Sequence, residues 1–339
     1  MLRDTYNVIL NITMLTYLSK KSLELLITFF GITLVSFFLI NLAPGKPTDV
    51  LSDLNPKMTP EIRAIYEKHW GLDKPVHVRY FVWLKNFSKF DFGNSFSSDS
   101  RPAWDKIKER LPITILINSI SMFLIFIIAL LIGIHSAVKP NSLSDKITTT
   151  GVFIGFAMPV FWLALILQLI LGVWLNILPV SGIKSLNYEN LSLMQKISDS
   201  ARHLCLPIFV TVFGSLAGLS RYVRSTMQEA LSQEYIVTAR AKGLPENKVI
   251  YKHALRNAVL PVITIIGLSI PGLISGSVIF ETIFAIPGVG QLLYTAAISR
   301  DVNVIMAEVV IVSILTLFGN LLADIGYALA DPRIRIAQR

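Results

Sequence analysis

The length of the apolar blocks constrains this chain more than any other feature. Six segments hold about 20 apolar residues or come close to it, namely residues 23–42, 113–138, 147–178, 204–219, 259–280 and 302–329. An α-helix of that length crosses the hydrocarbon layer of a bilayer. A water-soluble core is instead built from short periodic runs of apolar residues. We therefore expect an all-α membrane protein with about six transmembrane helices.

Composition supports lipid as the main solvent. Only 16% of the residues are charged, whereas soluble domains carry roughly 25%. The net charge of +9 could suggest a nucleic-acid partner, but the basic residues lie between apolar blocks and form no continuous face. We read them as charges that set membrane topology, and we expect no nucleic acid. Cys205 is the only cysteine, so an intrachain disulfide and a cysteine-based zinc site are excluded.

Three of the blocks need comment. The first could be a signal peptide, but its apolar run exceeds the usual 7–15 residues and Pro44 follows Ala43 where cleavage would be needed. We interpret it as a retained span. The third is long enough to be tilted or to extend past the membrane. The fourth is short, and we expect it to continue as a helix toward Met227.

The distribution of Lys and Arg predicts the orientation. The two short outer loops hold only Lys184, Lys196, Arg202 and Arg300. The positive-inside rule then places both termini in the cytoplasm. This divides the chain into a cytoplasmic segment (1–22), a transmembrane domain (23–330) and a cytoplasmic tail (331–339).

The outer loop of residues 43–111 is predicted to be folded. Thr59 before Pro60 marks a helix start, and Gly71 can end that helix. Two further helices are expected to begin at Pro75 and Pro102.

The sequence lacks the common nucleotide-binding, metal-binding and nucleophile motifs. It contains no GxxxxGK[ST] phosphate loop, no HExxH metal pair and no GxSxG nucleophile elbow. We expect the chain to bind no cofactor or metal and to be no enzyme.

Polar residues within the blocks are functional candidates because their burial in lipid is costly. They are Gln168, Glu281, Glu308, Asn320 and Asp324. A proton-coupled transporter normally places acids near the midplane of the bilayer, and only Glu308 approaches that depth. Proton coupling is therefore less favoured than ATP coupling.

Glycines and prolines in the blocks suggest where helices pack closely or bend. The GxxxG of Gly272 and Gly276 favours close helix packing over a pore-lining role. Helix kinks, which suit a cavity, are possible at Pro159, Pro207, Pro261 and Pro271. Our candidates for a translocation pathway or gate are Pro159, Gly272, Gly276 and Glu281.

The cytoplasmic loop of residues 221–258 is the most informative stretch. It divides into a helix ending near Lys242, a break at Gly243-Leu244-Pro245, and a second helix reaching about Asn257. Gly243 supplies the left-handed conformation that ends a helix, and Pro245 suits the first turn of the next. A merely solvated loop rarely needs a helix-turn-helix with an apolar face. We interpret the loop as a docking surface for a soluble partner.

At this stretch the sequence resembles the permease subunits of ABC importers, specifically the dipeptide/oligopeptide/nickel group. The segments 234–243 and 253–261 look like that group's EAA loop. Val237 and Thr238 replace the glutamate and the first alanine of the general Glu-Ala-Ala pattern. Further likenesses follow in family order: Ala43-Pro44-Gly45, Gly71-Leu72-Asp73-Lys74-Pro75, Asp91-Phe92-Gly93-Asn94-Ser95, Glu281-Thr282-Ile283-Phe284 with Pro287-Gly288-Val289-Gly290, and Asp331-Pro332-Arg333.

The resemblance implies a type I ABC importer permease fold, of the first, B-type subunit, in the inner membrane of a bacterial cell. It also implies partners: a second homologous permease, two ATPase subunits that carry ATP-Mg, and an extracytoplasmic solute-binding protein. The residues it assigns to ATPase coupling are Glu234, Ala239, Arg240, Lys242, Gly243, His253, Arg256 and Asn257. The solute could be a dipeptide, a longer peptide, a nickel chelate or glutathione. A nucleotide-independent transporter or channel is the second hypothesis, and a membrane-embedded enzyme is the third.

The predicted orientation can be tested with single cysteines. In a Cys205→Ser background, a cysteine at Asn190 should react with an impermeant thiol reagent on intact spheroplasts, and one at Asn247 should not. Lysed spheroplasts serve as the control in which both react. The reverse pattern of labelling would overturn the topology.

Overall fold

The computed structural model describes residues 2–54, 58–97 and 99–330, with side chains for 20–52, 58–97, 99–270 and 272–321. These residues fall into two units. The first comprises Met1–Glu109 with Leu292–Phe318, and the second Arg110–Gln291 with Gly319–Arg339. The tail predicted at residues 331–339, with the motif Asp331-Pro332-Arg333, lies outside the described residues.

The described secondary structure is helical, apart from one backbone bridge between Asn94 and Pro102. The α-helices are α1 (Leu2–Leu42), α2 (Pro47–Leu54), α3 (Pro60–His69), α4 (Val76–Phe87), α5 (Ala103–Val138), α6 (Leu143–Ala157), α7 (Val160–Leu167), α8 (Leu193–Leu231), α9 (Glu234–Ala241), α10 (Glu246–Lys248), α11 (Leu255–Ala258), α12 (Leu260–Ser269), α13 (Val278–Ile283), α14 (Val289–Ile298) and α15 (Val302–Ala330). Wider π-helical turns follow α7 at Gln168–Trp174 and α10 at Val249–Ala254, and short 3-10 turns lie at Tyr188–Asn190 and Ile270–Leu273.

In the first unit, α4 packs along α1 through aromatic rings. The ring centre of Phe37 lies 5.3 Å from that of Tyr80 and 6.1 Å from that of Trp83. Nearer the start of α1 and the end of α4, the rings of Phe29 and Phe87 are 5.6 Å apart. Because the earlier residue of α1 meets the later residue of α4, the two helices run antiparallel.

The loop helices begin near the predicted residues, with one correction. Pro60 occupies the first turn of α3, and the Thr59 side chain accepts a hydrogen bond from a backbone N–H of that turn. Pro75 directly precedes α4. The prediction of a separate third helix after Pro102 is wrong. Its residues form the start of α5, and α5 continues through Pro112 into the second apolar block. The sequence reading also missed α2.

A buried aspartate fastens the end of this loop to the start of α15. Asp301 accepts hydrogen bonds from the Ser95 hydroxyl, from the backbone N–H of Phe96 at 2.9 Å and from that of Val304 at 3.3 Å. The Asp301 side chain thereby caps α15 and closes a turn more than 200 positions away in the sequence.

The second unit is built around α8, a helix of 39 residues. Helices α6 and α7 both pack against it. Helix α6 can approach α8 closely because Gly155 has no side chain, since a Cβ there would lie 2.6 Å from the Phe213 ring. Asp145 of α6, which is buried, forms a paired contact with the guanidinium of Arg224, with N–O distances of 3.1 and 3.2 Å. This bidentate ion pair joins the two helices at their polar ends.

The number of spans agrees with the prediction. Four described helices are long and apolar enough to cross a membrane by themselves: Lys20–Leu42, Ala103–Val138, Leu193–Leu231 and Val302–Leu321. Two bent helix pairs bring the total to as many as six. The expected extension of the fourth block toward Met227 is confirmed, because α8 includes it.

The third block is broken and is not a single tilted helix, so the tilt interpretation is wrong. The axes of Leu143–Ala157 and Val160–Trp174 differ by 100°. Pro159 causes the break, because a proline pushes the preceding residue out of the helical region. Met158 accordingly has φ −81° and ψ 133°.

The fifth block is also interrupted. Its helix α12 ends at Ser269, a 3-10 turn covers Ile270–Leu273, and residues 274–277 are non-helical before α13 begins. The prediction of one continuous span over residues 259–280 is therefore wrong. Pro271, Gly272 and Gly276 lie at or within the interruption, where glycine and proline disfavour a regular helix.

The first unit should lose stability in acid through Glu67. Its carboxylate lies 2.6 Å from the Lys46 ammonium and 3.0 Å from the Arg63 Nε, and the Lys46 hydrogen bond in particular holds the pKa of Glu67 at about 2 instead of 4.5. A carboxylate with a lowered folded-state pKa stabilises the fold above its unfolded pKa, and the stabilisation is lost as pH falls toward the folded pKa. We therefore expect thermal unfolding temperatures to fall between pH 4.5 and 2.

In the variant Glu67→Gln, the unfolding temperature should change less with pH over the same window. Near neutral pH, the variant should be less stable than the wild-type protein by about 0.2–1 kcal/mol. Asp73→Asn, which removes an exposed carboxylate of the same loop, is the control. An unchanged acid transition in Glu67→Gln would contradict this role.

Candidate functional site

The segment from α9 to α11 forms a helical layer held on the second unit by its apolar side. Ile236 of α9 and Val249, Ile250 and Ala254 of the π-helical turn are buried. They belong to one core cluster that includes Met227 of α8 and residues of α5. The apolar face from which the docking surface was inferred therefore packs against the chain's own core.

The outer face of this layer is the surface that remains free for a partner. The exposed candidates on it are Glu234, Arg240, Lys242, Gly243, Arg256 and Asn257, while His253 is half-buried and Ala239 is buried. Val237 and Tyr251 add large apolar surface, being 62% and 59% exposed. Sequence reasoning missed these two, although an apolar residue outside the buried helical stripe is a readable signal.

The turn between α9 and α10 is set by Gly243. Its φ is +71°, in the left-handed region predicted from the sequence. The backbone N–H of Gly243 donates to the Arg240 carbonyl at 2.9 Å, which closes the last turn of α9. Across the turn, the Arg240 guanidinium pairs with Glu246 at 2.6 Å. Pro245 stands one position before α10 and not in its first turn as predicted.

A second group of residues encloses the carboxylate of Glu281. The Glu281 side chain accepts hydrogen bonds from the Thr114 hydroxyl at 3.2 Å and from the backbone N–H of Gln291 at 2.7 Å. Glycines form the rest of the enclosure, since a Cβ at Gly288 would lie 2.6 Å from a Glu281 oxygen. We call Glu281, Thr114, Gly276, Gly288 and Gly290 the carboxylate cage.

The cage explains one of the two GxxxG glycines. A Cβ at Gly276 would lie 2.6 Å from the Gly290 Cα, whereas nothing lies within 4 Å of one at Gly272. Neither glycine lies in a long helix, so the helix-packing interpretation is wrong for this motif. Gly276 permits backbone-to-backbone contact at the interruption of the fifth block.

The interrupted backbone is also held by Asn118 of α5. Its side-chain N–H group donates to the carbonyls of Leu273 at 3.0 Å, Ser275 at 3.1 Å and Gly272 at 3.3 Å. A cavity of about 230 Å³ adjoins this point, and its walls include Asn118 and Glu281. Of the pathway candidates, Glu281 lines this cavity, whereas Pro159 does not line it and lies at the bend between α6 and α7.

The described residues contain no group of three His, Cys, Asp or Glu side chains placed to hold a metal ion. The geometry offers instead a buried polar cage beside a cavity, and an exposed face rich in basic and aromatic side chains.

Comparison with known proteins identifies the class. The family described as "Binding-protein-dependent transport system inner membrane component" matches residues 129–336, and its N-terminal companion matches residues 14–118. The chain belongs to this permease family.

Several relatives match over nearly the whole permease. The oligopeptide transport system permease protein AppB of Bacillus subtilis is 44% identical, over 95% of this chain and 99% of its own length. The di/tripeptide transport system permease protein DppB of Pseudomonas aeruginosa is 36% identical, over 95% and 99%. The oligopeptide transport system permease protein OppB of Haemophilus influenzae is 34% identical, over 95% and 100%.

The two glycines of the GxxxG pair form a matched test of the carboxylate cage. Gly276→Ala should destabilise the permease by about 1–3 kcal/mol or more, because the added methyl group overlaps the Gly290 backbone. Gly272→Ala adds the same methyl group into open space and should be near neutral. Thermal unfolding in detergent compares them. Equal stability of the two variants would contradict the packing described for the cage.

Proposed function

We propose that this chain is the membrane-spanning permease of an ATP-driven peptide importer and forms half of its translocation pathway. The main observation behind this proposal is the layer α9–α11. Its inner face packs in the core, and its outer face is exposed. Full-length similarity to proteins named as peptide transport permeases supports the substrate class. The protein is then a transport subunit, with hydrolysis in its partners.

The partners follow from this role. A second homologous permease supplies the other half of the pathway, two ATPase subunits bind ATP-Mg, and a solute-binding protein delivers the peptide from outside. The outer face of α9–α11 is the proposed ATPase contact, and Tyr251 and Arg256 are among its exposed side chains. Aromatic and arginine side chains are the residues that most often carry binding energy at protein interfaces.

The proposed mechanism uses the rigidity of this layer. Closure of the ATPase pair pushes on α9–α11, and the push is transmitted through buried residues such as Ile250 and Ala254 to α5 and α8. The Glu246–Ala258 segment also leads directly into Leu260–Ser269 across a bend of 47°. Displacement of the layer therefore moves the interrupted fifth block, where Asn118 and the carboxylate cage border a cavity. Switching between two packings of these elements gives alternating access.

Orientation completes the proposal. With α9–α11 in the cytoplasm, both termini are cytoplasmic and the loop of residues 43–111 is outside. The candidate gate at Gly276 and Glu281 then lies toward the outer side of the membrane.

The coupling role is tested at Gly243. Gly243→Val places a β-branched residue at φ +71°, a conformation that costs such residues about 1–3 kcal/mol. We expect it to misorient α10 and α11, to weaken co-purification of the ATPase subunits and to reduce peptide uptake, with normal membrane levels of the chain.

Gly243→Asn is the matched control, because asparagine tolerates the left-handed region far better. It should retain most of the uptake. A valine variant that keeps its ATPases and transports at the wild-type rate would show that the segment does not couple the subunits as proposed.

A further inference from the structure

A second cavity, of about 170 Å³, lies wholly within the first unit. Its aromatic walls include Phe37 of α1, Trp83 of α4 and the stacked pair of Trp70 and Phe96, whose ring centres are 4.6 Å apart. One water molecule needs about 10–15 Å³ of such space, and whole small molecules usually need about 300 Å³ or more. The cavity thus has room for one end of a small ligand.

The polar side chains around this cavity offer mainly hydrogen-bond donors. Lys74, Arg79 and Asn86 line it, together with Asn303 and Asp91. The Nδ2 of Asn303 already donates to the Asn94 carbonyl at 2.7 Å, and one oxygen of Asp91 accepts from the Gly93 N–H at 2.9 Å.

Arg79 is the unusual member of this group. Its burial lowers the pKa of the guanidinium, and no hydrogen bond or ion pair to its side chain occurs among the described residues. Partly buried arginines normally pair with a carboxylate or phosphate. The indole N–H of Trp83 also lacks an acceptor in the described part of the chain. Among the side chains that line this cavity, donor groups therefore outnumber acceptor groups.

We infer that the cavity lined by Lys74 and Arg79 is a binding site for the carboxylate end of a short peptide. The inference rests on the proposed function, which supplies the peptide. A guanidinium offers a planar pair of donors that matches a carboxylate, and the aromatic walls suit an apolar terminal side chain. A monoanion is favoured over a doubly charged phosphate because Asp91 stands in the same wall.

The site differs from the cavity beside the carboxylate cage, since it belongs to the other unit and involves the loop of residues 43–111. It would hold a peptide by its C-terminus before the peptide enters the pathway between the two permeases.

The direct test is equilibrium dialysis of radiolabelled Ala-Phe against the complex of the two permeases and two ATPase subunits, without the solute-binding protein, in phosphatidylcholine nanodiscs. Ala-Phe should bind, and its C-terminal amide should bind at least about tenfold more weakly, the loss expected for a charge-assisted hydrogen bond. Arg79→Gln should lower the affinity for Ala-Phe by a similar factor, and Arg79→Lys by less. Equal binding of the acid and the amide by the wild-type protein overturns the proposal.

Two further variants keep the test decisive if Arg79→Gln fails to fold. Lys74→Gln changes an exposed wall residue and should weaken binding severalfold. Lys85→Gln removes an exposed charge of α4 outside the cavity and should change the affinity less than twofold. Equal affinities of the Lys74 and Lys85 variants would place the peptide elsewhere and overturn the proposal.

Other occupants give distinct results. Stabilisation that depends on Arg79 and appears only in phosphatidylglycerol nanodiscs identifies a lipid headgroup and overturns the peptide site. Peptide uptake by the importer without carboxylate-dependent binding overturns the site but leaves the proposed function intact. Failure of the assembled importer to transport any peptide overturns the proposed function itself.

Discussion

Every backbone N–H and C=O within a bilayer must find a partner inside the protein, and this constraint shapes the second unit. Two of its apolar blocks are broken, so carbonyl groups that an intact helix would satisfy are released. Side chains from other elements take them up. Asn118 donates to three carbonyls of the interrupted fifth block. Gln168 donates to the carbonyls of Val180 at 2.7 Å and Ile283 at 3.0 Å, which lie just beyond the third and fifth blocks. The few polar residues of the spans thus hold irregular backbone in place.

The same constraint accounts for the carboxylate cage. Glu281 is 5% exposed, and burial of a carboxylate is unfavourable unless its oxygens are hydrogen-bonded. Thr114 and the Gln291 N–H supply these bonds, and glycines let the surrounding backbone approach the carboxylate closely. The cage thereby forms part of the border of the adjoining cavity.

Rigidity also links the exposed layer α9–α11 to the spans. Its inner residues share one core with α5 and α8, and well-packed cores transmit displacements because they compress little. The ion pair between Asp145 and Arg224 fixes α6 to the same helix α8. In the proposed mechanism, a push on the outer face therefore reaches several spans together. The first unit has a different character, with aromatic packing, surface ion pairs and a cavity rich in hydrogen-bond donors.

The sequence by itself determined the class of this protein and the positions of its apolar blocks, because hydrophobic length depends on the order of residues along the chain and not on folding partners. It also located the turn at Gly243, whose φ is a local property. Tertiary structure alone decided which face of α9–α11 is free, because an apolar stripe looks the same whether it meets its own core or a partner.

The carboxylate cage and the cavity at Arg79 likewise could not be predicted. Thr114 and Glu281 are 167 positions apart, and Phe37 and Asn303 meet at one cavity only once the helices have packed. Proline and glycine marked where the spans could bend, but whether a kink becomes a 100° break depends on neighbours that satisfy the freed backbone, and those neighbours are fixed by packing.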